Sequence, residues 1–247
     1  HIRANEAQLG FNIPWTVLFL MEEPHCSRHL PQYGHAVSEG EELGIYSWIL
    51  LSHGNLLELL PLIERHPDSA FFLFCRPEDI SPAVLDEITP LRHLMLVVRW
   101  GDQADEACAM LRNARLPYSV YYPYSPDDLP FIRSGDLFCD TQQLHPLFTA
   151  LAAKPDCPAE IQRQAHQAAE ELRNGQNYKT VPWELCYDTR SLDEIISDDA
   201  CCVLFDGQGQ LIALDNPGCA PFGCLFEEGL TSLIRRAYPK SPPASSL

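Results

Sequence analysis

The sequence predicts an α/β fold, built either as a partial (β/α) barrel or as an open parallel sheet. The first observation is a series of short apolar segments of strand length, namely residues 15–22, 44–52, 69–75, 93–100 and 118–125. These segments are apolar throughout rather than alternately polar, which is typical of parallel strands covered on both faces. The second observation is that helical patterns lie between most of them, as βα units require. Four or five such units fall short of the eight that close a full barrel.

Each helix of this series has its own signal. Residues 55–66 place leucines and an isoleucine at helical spacing, and Pro61 marks a kink or a late start. Residues 81–88 begin with Ser81 as the N-cap and a proline at the first helical position. Residues 104–116 form a further amphipathic pattern. The alternation of strands and helices therefore continues as far as the fifth strand.

The pattern changes after Ser125. Residues 126–140 are rich in turn residues and predict a loop, whereas residues 157–175 predict a helix closed by Asn-Gly. The apolar face of this helix consists of Ile161, Ala165, Ala168 and Leu172. Residues 227–238 predict a short closing helix. We therefore divide the chain into a barrel-like domain (1–130), a loop with a connecting helix (131–180), a cysteine-rich C-terminal region (181–240) and a disordered tail (241–247).

The composition excludes some classes of function. The formal net charge of −17 leaves no basic excess to neutralise phosphates, so we expect no nucleic-acid partner. No apolar run approaches the ~20 residues that span a bilayer, so we expect no membrane association. Ten cysteines without a secretion signal predict reduced thiols and a cytoplasmic protein. An acidic surface of this kind favours basic partners or basic peptides, or serves solubility alone.

Half of the cysteines lie in one C-terminal stretch. They are Cys186, Cys201, Cys202, Cys219 and Cys224. Between them, residues 203–214 (VLFDGQGQLIAL) predict a β-hairpin, whose geometry brings the flanking cysteines towards one another. Such converging thiolates hold Zn²⁺ or an iron–sulfur cluster in small domains. Because no tight C-x₂-C pair is present, buried cysteines without metal and disulfides stay open as alternatives.

Polar side chains follow the first two strands. Glu22, Glu23 and His25 come directly after the first strand, and His53 follows the second. In a parallel α/β sheet the loops after the strands carry the chemistry, so these four residues are candidate binding or metal-ligating groups. Two prolines in residues 21–35 make a continuous helix there doubtful. The alternative is a polar loop without a metal.

Tyrosines surround the fifth strand. Tyr121 and Tyr124 belong to a group of four in residues 118–124. Alternation along a strand sends some of these side chains inward and others outward. The group therefore predicts either core residues or an exposed aromatic surface that binds a peptide.

Taken together, these segments resemble a radical SAM protein with a C-terminal SPASM or twitch-like extension. Residues 17–25 (VLFLMEEPH) resemble the second strand of that family, which ends in a GGEP motif. Residues 44–55 (GIYSWILLSHGN) resemble the next strand and its T-N-G turn. The hairpin of residues 203–214 and the segment 222–234 (FGCLFEEGLTSLI) resemble the SPASM hairpin and its closing segment. The resemblance implies a partial barrel over residues 1–130 and a SPASM-like region over residues 181–240.

The sequence also departs from that family. The C-x₃-C-x₂-C motif that holds the SAM-binding [4Fe–4S] cluster occurs nowhere in the 247 residues. Met21 and Glu22 replace both glycines of the GGEP motif, so the close backbone approach used by the SAM amino group is lost. In the hairpin, Cys219 and Cys224 miss the ligand positions of the family. The resemblance thus implies a degenerate relative without catalysis of its own.

The function expected from this resemblance is that of a non-catalytic partner subunit in peptide maturation. Such a subunit forms a heteromer with a catalytic radical SAM enzyme, with the precursor peptide, or with both. One alternative is an iron–sulfur electron-transfer protein that uses the C-terminal cysteines for a [4Fe–4S] cluster, or for zinc. Another is a metal-dependent enzyme of the partial-barrel class that uses Glu22, Glu23, His25 and His53.

Overall fold

The computed structural model describes residues 1–22, 25–52, 56–213 and 221–240, and these contain nine strands in one sheet. The strands are β1 (Thr16–Met21), β2 (Ser47–Ser52), β3 (Ala70–Cys75), β4 (Leu94–Arg99), β5 (Tyr118–Tyr124), β6 (Phe148–Ala153), β7 (Val181–Glu184), β8 (Val203–Phe205) and β9 (Leu211–Ala213). Their order across the sheet is β7-β6-β5-β4-β3-β2-β1-β8-β9. The five strands predicted from apolar runs are confirmed as β1 to β5.

The register shows which strands run in the same direction. β4, β5, β6 and β7 pair in parallel, each with the next. β8 pairs in parallel with β1, with Val17 opposite Val203 and Phe19 opposite Phe205. β9 returns antiparallel to β8. β8, which comes from the C-terminal region, therefore pairs with β1 on the side opposite β2.

The described residues also form ten α-helices. They are α1 (Ile2–Leu9), α2 (His25–Leu43), α3 (Leu56–Glu64), α4 (Pro82–Ile88), α5 (Ala104–Asn113), α6 (Leu129–Ser134), α7 (Asp136–Thr141), α8 (Ala159–Gly175), α9 (Leu185–Ile196) and α10 (Leu230–Ala237). Ser81 caps α4 as predicted, because its hydroxyl accepts a hydrogen bond from the Val84 N–H at 3.4 Å. None of the helices within the described ranges has the length and apolarity that a membrane crossing requires.

Two predictions about helices are wrong. The loop predicted over residues 126–140 contains α6 and α7, which meet at Gly135 in the left-handed conformation (φ 81°). Each has six residues, too few for a periodic pattern to stand out, and tertiary packing of buried Ile132 and Phe138 stabilises them. The helix that the prolines made doubtful forms as α2. It is kinked at His29, so Pro31 lies in the first turn after the kink, where its missing N–H costs little.

The C-terminal hairpin is formed by β8 and β9, which pair within residues 203–213. Its turn is closed by a hydrogen bond from the Gly209 N–H to the Asp206 carbonyl at 2.9 Å. The Asp206 carboxylate accepts from the Gln208 and Gln210 N–H groups at 2.9 and 2.8 Å. Leu214 and the predicted tail of residues 241–247 lie outside the described residues, and the likeness of the hairpin to a SPASM domain stays a prediction.

The chain divides into two compact units. Unit 1 consists of residues 1–51, 61–71 and 190–247, and unit 2 of residues 52–60 and 72–189. The division by sequence into residues 1–130, 131–180 and 181–240 stays a prediction.

The core of unit 1 is aromatic. Phe19 on β1 stacks on Trp48 with ring centroids 5.7 Å apart, and it also contacts Tyr33 and Phe205 at 5.1 and 5.5 Å. These four side chains are fully buried. Trp48 reaches across to α2 at Gly40, where an added Cβ would lie 2.6 Å from Cζ2 of the indole ring and closer still to Cη2. Only a residue without a side chain fits there.

Alanine at two glycines of α2 is expected to change stability in opposite directions. Gly40→Ala gains helix propensity but forces a methyl group into the buried Trp48 ring, so we expect a net loss of about 1–2 kcal/mol. Gly34→Ala is the matched control, since its added methyl group meets no atom within 4 Å, and we expect a gain of about 0.5–1 kcal/mol. Urea unfolding followed by far-UV circular dichroism measures both. Equal effects would contradict the close packing of α2 on Trp48.

The core of unit 2 lies between β5, β6 and the helices α6 to α8. Ala165 and Ala168 of α8 are buried in it, and Ile161 and Leu172 pack against it, which confirms the predicted apolar face. The free edge of β7 is blocked against further strand pairing. Pro182 has no N–H group, and its carbonyl accepts a hydrogen bond from the Arg173 guanidinium at 2.8 Å.

Candidate functional site

Two of the polar residues predicted after the strands are described. Glu22 is exposed, and its carboxylate lies over the hairpin turn, where a Cβ added at Gly207 would meet Glu22 Oε2 at 2.7 Å. His25 is the first residue of α2, and its ring lies parallel to that of His29 with centroids 6.2 Å apart. Glu23 and His53 lie outside the described residues. A joint site of all four residues therefore stays a prediction.

The described members of the predicted cysteine set belong to two different units. Cys186 is in the first turn of α9 in unit 2, whereas Cys201, Cys202 and Cys224 belong to unit 1. Cys201 and Cys202 are buried directly before β8, and the Cys201 N–H donates to the Asp193 carboxylate. The Cys224 thiol lies 3.5 Å from the Gln208 carbonyl in the hairpin.

Cys219 lies outside the described residues. Among the residues that are described, no cysteine forms a disulfide, and no three histidine, cysteine, aspartate or glutamate side chains come together as metal ligands. A [4Fe–4S] or zinc site at the C-terminal cysteines stays a prediction.

The two predicted tyrosines lie in the interior of unit 2. Tyr121 contacts Phe74 with ring centroids 5.0 Å apart, and burial, with Cys75 nearby, raises its pKa to about 12. Tyr124 is fully buried and donates a hydrogen bond to Glu184 Oε1 at 2.9 Å. Burial and the adjacent Glu184 raise the pKa of Tyr124 far above its ordinary value. Neither phenol contributes to an exposed aromatic surface in this structure.

Glu184 is a buried carboxylate at the carboxyl end of β7. Besides the Tyr124 hydroxyl, it accepts hydrogen bonds from the Cys186 and Tyr187 N–H groups at 3.0 and 2.8 Å, at the start of α9. Burial nevertheless dominates and raises the pKa of Glu184 to about 7. The side chain can therefore hold a proton near neutral pH. No sequence pattern singled it out, because its burial depends on the packing of α9 over the strand end.

A cleft in unit 1 was not predicted at all. It has a volume of about 440 Å³ and lies between α2 and the turn that leads into α10. Its lining consists of Pro31, Gln32, His35, Ala36 and Glu39 on one side and residues 225–230 on the other. The sequence reasoning missed it because residues 31–39 were not recognised as a helix face. The two walls are also about 190 positions apart in sequence, as the Glu39–Thr231 hydrogen bond shows (separation 192).

Phe226 is held in place at this cleft by its neighbours. The His29 ring stacks on it with centroids 3.9 Å apart and planes 5° apart, and Tyr33 meets it edge-on at 5.5 Å. Gly209, with a positive φ of 77°, allows the ring to approach, since an added Cβ would lie 2.7 Å from Phe226. Burial, with Arg28 and His25 nearby, lowers the pKa of His29, which favours the neutral ring that stacks.

The charged side chains of the cleft are mostly acidic. Glu39 lies 3.1 Å from the His35 ring nitrogen and accepts a hydrogen bond from the Thr231 N–H at 2.9 Å, so it caps α10. Glu228 pairs with Arg236, which holds the pKa of the Glu228 carboxyl below its ordinary value. Glu227 is exposed on the rim.

Comparison with known proteins gives structural matches only. No family model and no curated protein matches the chain. Streptococcus suis SuiB bound to S-adenosylmethionine matches with a TM-score of 0.63 and 10% identity, over 93% of this chain and 68% of SuiB. SuiB bound to precursor peptide SuiA matches with a TM-score of 0.60 and 10% identity, over 94% and 67%. Native anSMEcpe with bound AdoMet and Cp18Cys peptide matches with a TM-score of 0.51 and 8% identity, over 89% and 80%.

These neighbours are radical SAM proteins. At identities of 8–10% the likeness shows the fold alone. It confirms the predicted fold class, an α/β protein of the partial-barrel kind.

Proposed function

We propose that this protein is a non-catalytic partner of a radical SAM enzyme and binds a precursor peptide during peptide maturation. The fold supports a peptide ligand, because SuiB and anSMEcpe, which share it, were solved with peptides bound. The formal net charge of −17 supports a basic peptide or a basic protein surface as the ligand.

The observation that carries the proposal is the position of β8. By resemblance, β1 corresponds to the second strand of the radical SAM family. The sheet position beside β1 is filled by β8, through Val17–Val203 to Phe19–Phe205. The Glu22 carboxylate, at a position where the resemblance places a glycine, lies over the hairpin turn at Gly207. These features favour a protein that leaves SAM chemistry to its partner.

The proposal predicts that the isolated protein neither binds nor cleaves SAM. After anaerobic purification and iron–sulfur reconstitution, we expect no heat of SAM binding and no 5′-deoxyadenosine under reducing conditions. A catalytic radical SAM enzyme, reconstituted in the same batch, is the positive control. We further expect that a tagged form of this protein retains a catalytic radical SAM enzyme on an affinity column. Reductive cleavage of SAM by the isolated chain would refute the proposal.

A further inference from the structure

We propose that the cleft between α2 and residues 225–230 binds a peptide segment in which a lysine or arginine stands next to an apolar residue. The inference that this segment belongs to a precursor peptide rests on the proposed function. The cleft itself belongs entirely to unit 1, and its chemistry follows from three independent observations on its floor, its rim and one buried oxygen.

The floor of the cleft is apolar and preformed. Ala36, Leu225 and Leu230 are 1%, 4% and 0% exposed, and the Phe226 ring is held between His29, Tyr33 and the backbone of Gly209. The volume of about 440 Å³ lies within the range of ligand sites, ~300–1,000 Å³. An apolar side chain entering here can contact the Phe226 ring, which its neighbours already hold in place.

The rim of the cleft selects a cation. Three glutamates, Glu39, Glu227 and Glu228, line the cleft, and within the described part of the chain no lysine or arginine lines it. Arg236 offsets the charge of Glu228, and the Glu39 carboxylate is engaged by the His35 ring nitrogen and the Thr231 N–H. The Glu227 carboxylate remains as the negative charge on the rim that a ligand can meet. A phosphate or another anion would meet repulsion here, whereas a lysine or arginine side chain would be attracted.

Gln32 supplies the third observation. Its side-chain oxygen Oε1 is buried and has no hydrogen-bond partner among the residues that the structure describes. Gln32 lines the cleft, so a rotation of its side chain would bring this oxygen to an incoming N–H donor and remove the desolvation cost of leaving it unpaired. A peptide backbone presents such N–H groups beside its side chains, which a lone metal ion or an apolar small molecule does not. Floor, rim and Gln32 together fit an extended peptide with one apolar and one basic side chain.

Binding can be tested with two capped pentapeptides that differ in one charge, acetyl-GLKLG-amide and acetyl-GLELG-amide. Amide NMR spectra of the isotope-labelled full chain, titrated at low ionic strength, report affinity and location together. We expect the lysine peptide to shift signals of residues 31–39 and 225–230, and to bind about two- to five-fold more tightly than the glutamate peptide, as a rim ion pair predicts. Equal affinities, or shifts that map elsewhere, would overturn the proposal.

Variants distinguish binding in the cleft from attraction to the overall negative charge of the protein. Glu227→Lys is expected to reverse the preference, so that the glutamate peptide binds more tightly, and Gln32→Met is expected to weaken both peptides alike. Glu42→Lys is the matched control, because Glu42 is exposed on the same helix outside the cleft. If Glu42→Lys changed the preference for the lysine peptide as much as Glu227→Lys, that preference would come from the overall charge of the protein and not from the cleft.

A second copy of the chain is the competing occupant. Concentration-dependent shifts at the cleft without peptide would assign the surface to self-association and overturn the proposal. If the peptides did not bind, the expected SAM and co-purification results would not change. If the isolated chain cleaved SAM, the expected result of the peptide titration would not change. The two proposals therefore fail separately.

Discussion

Glu6→Ala is expected to lower the free energy of unfolding by about 3–5 kcal/mol. Glu6 on α1 is fully buried. Its Oε1 accepts hydrogen bonds from the Ile13 N–H at 2.8 Å and from the Ser197 hydroxyl. Its Oε2 lies 3.3 Å from both the Asp198 N–H and the Lys240 ammonium group. One carboxylate thus joins the N-terminal helix, the segment after α9 and the end of the described chain.

The size of the effect follows from the hydrogen-bond donors that would lose their acceptor when alanine replaces Glu6. The Ile13 N–H and the Ser197 hydroxyl would remain buried without this acceptor, at a cost of about 1–3 kcal/mol each. Lys240 would keep its ion pair with the half-exposed Asp198 and so loses less.

Urea unfolding is the measurement. Glu42→Ala, an exposed glutamate on α2, is the control and is expected to change stability by no more than about 0.5 kcal/mol. A loss below about 1 kcal/mol for Glu6→Ala would contradict the role of this carboxylate as a buried junction.

The wild-type protein is expected to become less stable as the pH rises, because Glu184 is buried. Glu184→Gln is expected to abolish this pH dependence. The pKa of Glu184 is raised from 4.5 to about 7 in the folded protein, because burial disfavours its charged form. Below about pH 4.5 the carboxyl is protonated in both the folded and the unfolded state and has no effect. Between about pH 4.5 and 7 the unfolded state releases its proton first. Above that range the folded state is destabilised by about 3 kcal/mol.

Glutamine preserves the local hydrogen bonds. Its carbonyl oxygen can accept from the Cys186 and Tyr187 N–H groups, and its amide can donate to the Tyr124 hydroxyl. We therefore expect the variant and the wild type to be equally stable within about 1 kcal/mol near pH 4.5, and the variant to be more stable by up to about 3 kcal/mol near pH 8. Urea unfolding at both pH values tests this.

Asp193 contributes a pH dependence of the same sign, but it is present in both proteins. Burial raises its pKa to about 6, although it accepts hydrogen bonds from the Trp15 and Cys201 N–H groups. The difference between wild type and variant therefore isolates Glu184. If both proteins lost stability in parallel from pH 4.5 to about 8, the assignment to Glu184 would be wrong.

Prediction from sequence worked where the signal was local and strong. The strands β1 to β5 were recognised because each is an apolar run, and an apolar run needs no partner to be visible. The face of α8 was recognised because Ala165 and Ala168 recur at helical spacing. α6 and α7 were missed because helices of six residues are stabilised mainly by what they pack against.

The candidate site was much harder to predict than the fold. The cysteines and the residues after the strands drew attention by residue type, yet type does not say which side chains share a surface. Gln32, Glu227 and Phe226 carry no pattern that marks them, and they become a cleft only when α10 begins beside α2. A helix cap such as Ser81 is recognised from its neighbours in sequence, whereas a cleft is made by residues far apart. Even a local signal can misplace a boundary: the C-cap of α8 is Gln176, in the left-handed conformation, and the predicted Asn-Gly end lies inside the helix.

The sequence by itself determined the α/β class, the positions of the first five strands and the acidic charge, because composition and periodicity are properties of the chain. Only the tertiary structure decided that β8 pairs beside β1 and that Glu6 meets Ser197, 191 positions away. It also decided that Glu184 is buried and that a cleft opens at residues 225–230. The physical reason is that burial and proximity, which set pKa values and ligand chemistry, arise from packing between distant segments.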